Sequence, residues 1–104
     1  MDSNRQIKNL ALIGFMGVGK SSTGHLIATG LGFNFLDTDA LIEETVGKTV
    51  SQIFKEFGES SFRDLEVQVS KLLESRNRLV IATGGGFVLN PMNLASLKQH
   101  SLVV

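Results

Sequence analysis

The sequence predicts an α/β domain with an open parallel sheet and flanking helices. Three observations carry that expectation: short apolar runs rich in branched residues at 7–13, 33–36 and 79–82, helical apolar spacing between them, and glycines where the runs end. At 104 residues, a single domain spanning 1–104 is expected, with room for a modest core. Hydrophobic residues make up 42% and charged ones 19%, so the chain has the apolar material to fold and too little charge to stay disordered.

Residues 7–13 read as a buried strand bounded by Gly14, and a glycine-rich turn follows it. From Lys20 to about Leu31, the apolar positions Leu26, Ile27 and Leu31 with Gly32 just beyond give a helix closed by a glycine. Residues 33–36 form a second strand, and Ala40 to Val46 a helix with Leu41 and Ile42 inward. Ser51 is the expected N-cap of a turn or two carrying Ile53, Phe54 and Phe57, which Gly58 breaks. Phe62, Leu65, Val69, Leu72 and Leu73 then make a helical stripe, with Ser61 and Asp64 placed as a capping box. Residues 79–82 are a third buried strand stopped by Gly84, Gly85 and Gly86, Pro91 opens a helix to about Gln99, and 102–104 begin a fourth strand.

Ten bases and ten acids give no net charge, so the molecule carries no field to attract nucleic acid or an anionic membrane, and any phosphate must be held locally. The charge is segregated: residues 37–66 hold eight acids against three bases, which marks the middle as a place for cations. Glu43, Glu44, Glu56 and Glu59 read as ordinary solvated surface within it. The chain has no cysteine, so it offers neither a disulfide framework, a thiolate zinc site nor a thiol nucleophile. Its opening residues are polar and no apolar run suits a signal peptide or a membrane span; no targeting segment is expected, and a cytoplasmic location is permitted.

Chemistry begins at Gly14. Gly14-Phe15-Met16-Gly17-Val18-Gly19-Lys20-Ser21 satisfies G-x-x-x-x-G-K-[ST] between the first strand and the first helix, the context that such a phosphate loop requires. Glycines there let backbone N–H groups curl around phosphate oxygens at a helix N-terminus. Lys20 suits charge neutralisation between the terminal phosphates, and the Ser21 hydroxyl suits Mg²⁺. Asp37-Thr38-Asp39 follows the second strand at the sheet's carboxyl end, where ligands collect. If that stretch is extended, both carboxylates look into one cleft; if Thr38 or Asp39 opens a helix, capping accounts for one of them. Arg63, beside the apolar stripe, is a surface ion pair on charge alone, or a fork for a substrate carboxylate. The three glycines from Gly84 either make a tight turn or leave a backbone N–H open to a ligand. His25 and His100 have no partners at metal-ligand spacing, and the methionines and phenylalanines read as packing.

Leu12 to Ser21, Phe35-Leu36-Asp37-Thr38-Asp39, Phe62-Arg63-Asp64-Leu65-Glu66 and Ala82-Thr83-Gly84-Gly85-Gly86 occur in the order and spacing of the shikimate kinase family, which the chain resembles over almost its whole length. The resemblance implies a P-loop NTPase-type sheet and transfer of the γ-phosphoryl group of ATP to the 3-hydroxyl of shikimate, in aromatic amino-acid biosynthesis. It implies ATP and Mg²⁺ as cofactors, shikimate as the small-molecule partner, and no nucleic acid or membrane partner. Carried over by position, Gly17, Val18, Gly19, Lys20, Ser21 and Ser22 resemble the phosphate cradle, with Ser21 on Mg²⁺ and Asp37 holding that ion through water. Lys20 resembles the residue stabilising the transferring group. Asp39 resembles the residue that binds the ring hydroxyls and accepts a proton, Arg63 a clamp on the substrate carboxylate, Gly85 a backbone contact and Glu66 a group orienting Arg63.

Members of the family continue into a lid carrying an arginine over the phosphates, a further substrate arginine, a last strand and an adenine-contacting loop. No such segment follows Val104, so the expectation is a C-terminally incomplete domain, weak or absent catalysis by this chain alone, and association through an open sheet edge where complete members are monomeric. Two alternatives accompany the kinase reading: a non-catalytic kinase-like phosphate-binding remnant, and a gluconate-kinase-like small-molecule kinase.

Overall fold

The computed structural model describes residues 8–13 and 19–104. Strand β1 spans Asn9–Leu12, helix α1 Gly19–Leu31, β2 Asn34–Asp37, α2 Thr38–Val46, α3 Val50–Leu73, β3 Leu79–Ala82, α4 Pro91–His100 and β4 Ser101–Val103, with a single 3₁₀ turn, Phe87–Leu89, ahead of α4. All three strand pairings are parallel, in the order β2-β3-β1-β4. This is the α/β architecture that the alternation of apolar runs and helical stripes demands, since parallel neighbours need crossovers and helices supply them.

Alternation along the strands divides the core in two. Ala11, Leu79 and Ile81 point to a layer made by Ile42 of α2, Ile53, Phe62, Val69 and Leu73 of α3, Phe87, and Leu97 of α4. Leu12 and Val80 point the other way, to Ala28 of α1 with Leu10, Ile27, Phe33 and Phe35 around them. Strand β3 is buried along its whole length, which is why Leu79-Val80-Ile81-Ala82 is apolar without interruption. In the register, Asp37 lies beside Ala82 and Ala82 beside Leu12, so β2, β3 and β1 end level at the carboxyl edge.

The structure moves several boundaries. The first strand is shorter than 7–13, and Ile7 lies outside the described residues. The N-cap after α2 is Thr49, not Ser51: its side chain accepts from the Gln52 N–H while the Gln52 side chain accepts from the Thr49 N–H. Gly58, at φ 87° and ψ 167°, breaks the helical path as expected, so α3 is two helical segments meeting at a kink there. Ser61 and Asp64 lie in the first turns after that kink but do not form the expected capping box; the capping box of α3 is the one at Thr49 and Gln52. Phe57 is exposed rather than packed. Glu43, read as solvated surface, accepts from the Val50 N–H at 2.8 Å and pins the turn between α2 and α3.

A second polar lock closes the opposite, amino edge. Asn9 Oδ1 accepts from the Leu79 N–H at 2.9 Å and its Nδ2 donates to the Arg76 carbonyl at 3.3 Å. With the amide orientation thus fixed by two backbone groups, Nδ2 also donates to His100 Nδ1 at 2.9 Å. Among the described residues no helix is long and apolar enough to cross a membrane.

Candidate active site

The carboxyl edge gathers the residues singled out in the sequence. Asp37 ends β2 and is itself the N-cap of α2: its Oδ1 accepts from the N–H groups of Asp39 at 2.9 Å and Ala40 at 3.1 Å. Helix α2 begins at Thr38, so the extended two-residue geometry that would aim both carboxylates into one cleft does not apply. The two acids have separate work: Asp37 holds the helix start, and Asp39, in the first turn, lies against Gly84.

That contact explains the glycines. A Cβ on Gly84 would stand 2.6 Å from Asp39 Oδ1, and one on Gly86 would overlap the Arg63 guanidinium, 2.6 Å from Cζ. Beyond its chain neighbours, a Cβ on Gly85 would meet none of the described residues within 4 Å, and Gly85 is exposed. The first and third glycines are thus seats for an anionic and a cationic side chain, while the middle one faces open space. Thr38, fully buried, ties the same loop to α2 by accepting from the Gly84 N–H at 3.2 Å. Buried Asn93 of α4 holds the following turn by donating to the Phe87 carbonyl at 3.1 Å.

Arg63 projects from α3 over the rings of Phe62 and Phe54, whose centroids lie 5.5 and 5.9 Å from Cζ. Its Nη1 donates to Glu66 Oε1 at 2.9 Å, and its Nε and Nη2 donate to Glu59 Oε2 at 3.3 and 3.1 Å. Glu66 is buried and its Oε2 has no hydrogen-bond partner among the described residues. Desolvation raises its pKa above the ordinary glutamate value despite Arg63, and the neighbouring Asp39 adds to the rise. The Glu66 hydrogen bond in turn raises the pKa of Arg63, so the guanidinium stays charged. The arrangement is a carboxylate seated on Gly84 and a fixed cation on Gly86, with a buried glutamate bracing the cation.

Arg63, Asp39 and the glycine loop therefore come together, and Asp37 stands at the same edge on the neighbouring strand. Gly17 and Val18 lie outside the described residues, and for Gly19, Lys20 and Ser21 only the backbone is described. That backbone is the N-terminus of α1, reached from the carboxyl end of β1, the strand-to-helix setting the motif calls for. Ser22 lies in the same first turn and is exposed. Sequence reading did not find Gly84 and Gly86 as seats, nor Glu59, whose four-residue spacing from Arg63 was the available signal.

A family model described as shikimate kinase matches residues 16–104. The shikimate kinase of Thermodesulfovibrio yellowstonii is 50% identical over 97 residues, covering 93% of this chain and 56% of that protein. Among solved structures, the shikimate kinase from Acinetobacter baumannii in complex with shikimate superposes with a TM-score of 0.87 at 42% identity, over 95% of this chain and 55% of that one. The shikimate kinase of Aquifex aeolicus gives 0.85 at 38% identity, over 91% of this chain and 56% of that one. The chain thus spans about half the length of the curated relatives it matches, and these similarities do not favour a gluconate-kinase-like reading. The chain belongs to the shikimate kinase family.

Proposed function

We propose that the protein carrying this chain transfers the γ-phosphoryl group of ATP to the 3-hydroxyl of shikimate, as a cytoplasmic enzyme of aromatic amino-acid biosynthesis. The observation that carries the reading is the seating of Asp39 on Gly84 and Arg63 on Gly86 at one edge of the sheet. It sets an acceptor for hydroxyls beside a fork for a carboxylate, as an acidic polyol needs. The relative from Acinetobacter baumannii was solved with shikimate, which supports the same substrate here.

In this mechanism the phosphate-loop backbone from Gly17 to Ser22 cradles the nucleotide phosphates, and Lys20 neutralises charge on the moving group. Arg63 fixes the substrate carboxylate through two parallel hydrogen bonds, and the exposed Gly85 backbone meets the ring. Asp39 accepts the proton of the 3-hydroxyl as its oxygen bonds to the γ-phosphorus, the bond to the β,γ-bridging oxygen breaks, and ADP leaves with that electron pair. Mg²⁺, when bound, screens the phosphate charge. Ser21 and Asp37 would hold it, and Asp37 fits the part because both helix-capping bonds fall on Oδ1 and leave Oδ2 outside the cap.

The test is a coupled ADP-release assay with shikimate, paired with calorimetric titration of shikimate and Mg·ADP separately. Shikimate-dependent release and binding of both ligands are expected. Binding of Mg·ADP with no response to shikimate would overturn the assignment in favour of a phosphate-binding remnant.

A further inference from the structure

Each of the three nitrogens of the Arg63 guanidinium already faces a carboxylate. Nη1 is given to Glu66, and the side-on fork formed by Nε and Nη2 closes on a single oxygen, Glu59 Oε2. A carboxylate arriving from solvent needs two parallel N–H groups on one edge of the guanidinium, and the Nε and Nη2 edge is the one that Glu59 holds. Something must leave to open it.

The two glutamates differ sharply in how readily they leave. The Glu59 side chain is 68% exposed and that of Glu66 is 2% exposed. Released from Arg63, Glu59 turns into water without any change in burial. Glu66 released would be a buried charge without a counterion, a far costlier state. Glu59 also makes the longer contacts, through one oxygen, and it is the first residue after the break at Gly58.

We propose that Glu59 is a built-in stand-in for the substrate carboxylate: it occupies the Nε and Nη2 fork of Arg63, and only a ligand bringing its own carboxylate replaces it. The inference rests on the reading of Arg63 as a carboxylate clamp and deepens it. The substrate's carboxylate exchanges with an internal one, so Arg63 is never left without a counter-charge. The exchange lowers apparent affinity for the true substrate and selects against polyols that lack an acid, because these cannot compensate Arg63 for the loss of Glu59.

Calorimetric titration of shikimate, and of an analogue whose carboxylate is replaced by hydroxymethyl, decides the matter in four forms of the protein: unmodified, Glu59→Gln, Asp64→Asn and Arg63→Ala. Because exposed ion pairs are weak, Glu59→Gln is expected to tighten shikimate about two- to five-fold. It should leave the hydroxymethyl analogue within error, and Asp64→Asn, which removes the same charge one residue from Arg63 without a bond to its guanidinium, should change neither ligand. Unchanged or weaker shikimate binding in Glu59→Gln, or equal tightening in Asp64→Asn, overturns the exchange while Arg63→Ala still weakens shikimate. If Arg63→Ala does not weaken shikimate, the clamp itself is wrong and the exchange falls with it.

Discussion

The two edges of the sheet use polar side chains in opposite ways. At the amino edge, Asn9 and His100 are buried, neutral and interlocked, and Asn9 is satisfied by backbone groups of fixed position. At the carboxyl edge the groups are charged, one face of Arg63 is open to water, and the orphaned oxygen of Glu66 is held in place by burial rather than by a partner. The amino edge closes the fold. The carboxyl edge keeps charge in reserve, which is the condition for binding something not yet there.

The sharpest way to break this contrast is to remove the charge at the carboxyl edge. Arg63→Ala is expected to weaken shikimate by about 100-fold or more, the scale for truncating one side of a hydrogen-bonded charge pair, with Mg·ADP binding unchanged. Equal losses for both ligands, measured by titration, would mean that Arg63 supports the fold and not the substrate. A smaller effect is expected at the glycines. Gly86→Ala forces the guanidinium off its seat, and a displacement of about 1 Å can cost about 100-fold in turnover. The far end of a flexible side chain moves readily, so kcat/KM should fall by about 10- to 100-fold with the unfolding midpoint nearly constant. Gly85→Ala is the matched control for stability alone, since apart from its chain neighbours no described atom lies within 4 Å of the added methyl; an unfolding midpoint that fell in this variant alone would contradict the described geometry.

How much of this was legible in the sequence differs between the edges for a physical reason. The strands and helices follow from periodicity: Leu79 to Ala82 is uninterrupted because both faces are covered, and Val69 and Leu73 recur because α3 has one buried stripe. Asp39 and Arg63 were legible as a pair only through the resemblance, because they are far apart in the chain and tertiary packing, which no local pattern encodes, brings both to the one glycine loop. The run Gly84-Gly85-Gly86 showed that backbone was approached closely but not by what; Asp39 and Arg63 supply the answer. Asp37 as a cap was one of two readings of the Asp-Thr-Asp run, and the run alone could not choose between them; α2 opening at Thr38 does. The amino-edge lock left no trace at all, since Asn9 and His100 stand 91 residues apart and neither type is diagnostic of burial.

That lock supplies the test from the other side. Asn9→Ala removes the acceptor of the buried Leu79 N–H and the donor to His100, and a buried group left unpaired costs about 1–3 kcal/mol. Chemical unfolding should show a loss of about 2 kcal/mol while shikimate affinity stays put; a matching loss of affinity would mean that the two edges are not independent.

The smallest effect expected is a pH slope whose sign separates the edges. Burial pushes the His100 pKa below the ordinary 6.5, with Glu74 opposing and Lys8 reinforcing the shift. The ring must also stay neutral for Nδ1 to accept from Asn9. The unfolded chain therefore takes up a proton before the folded one, so the contribution of His100 is fully present above pH 6.5 and is lost as the pH falls toward its lowered folded value. Glu66 behaves oppositely: burial raises its pKa above 4.5, so its contribution is complete below pH 4.5 and is lost as the pH rises through the raised value. The two contributions therefore have opposite signs, and removing one exposes the other. In His100→Gln the amide oxygen can still accept from Asn9 but no longer titrates, so the loss of stability that the unmodified chain shows on acidification below pH 6.5 should shrink or vanish. A slope that survives the substitution would move the pH-sensitive group away from the amino edge.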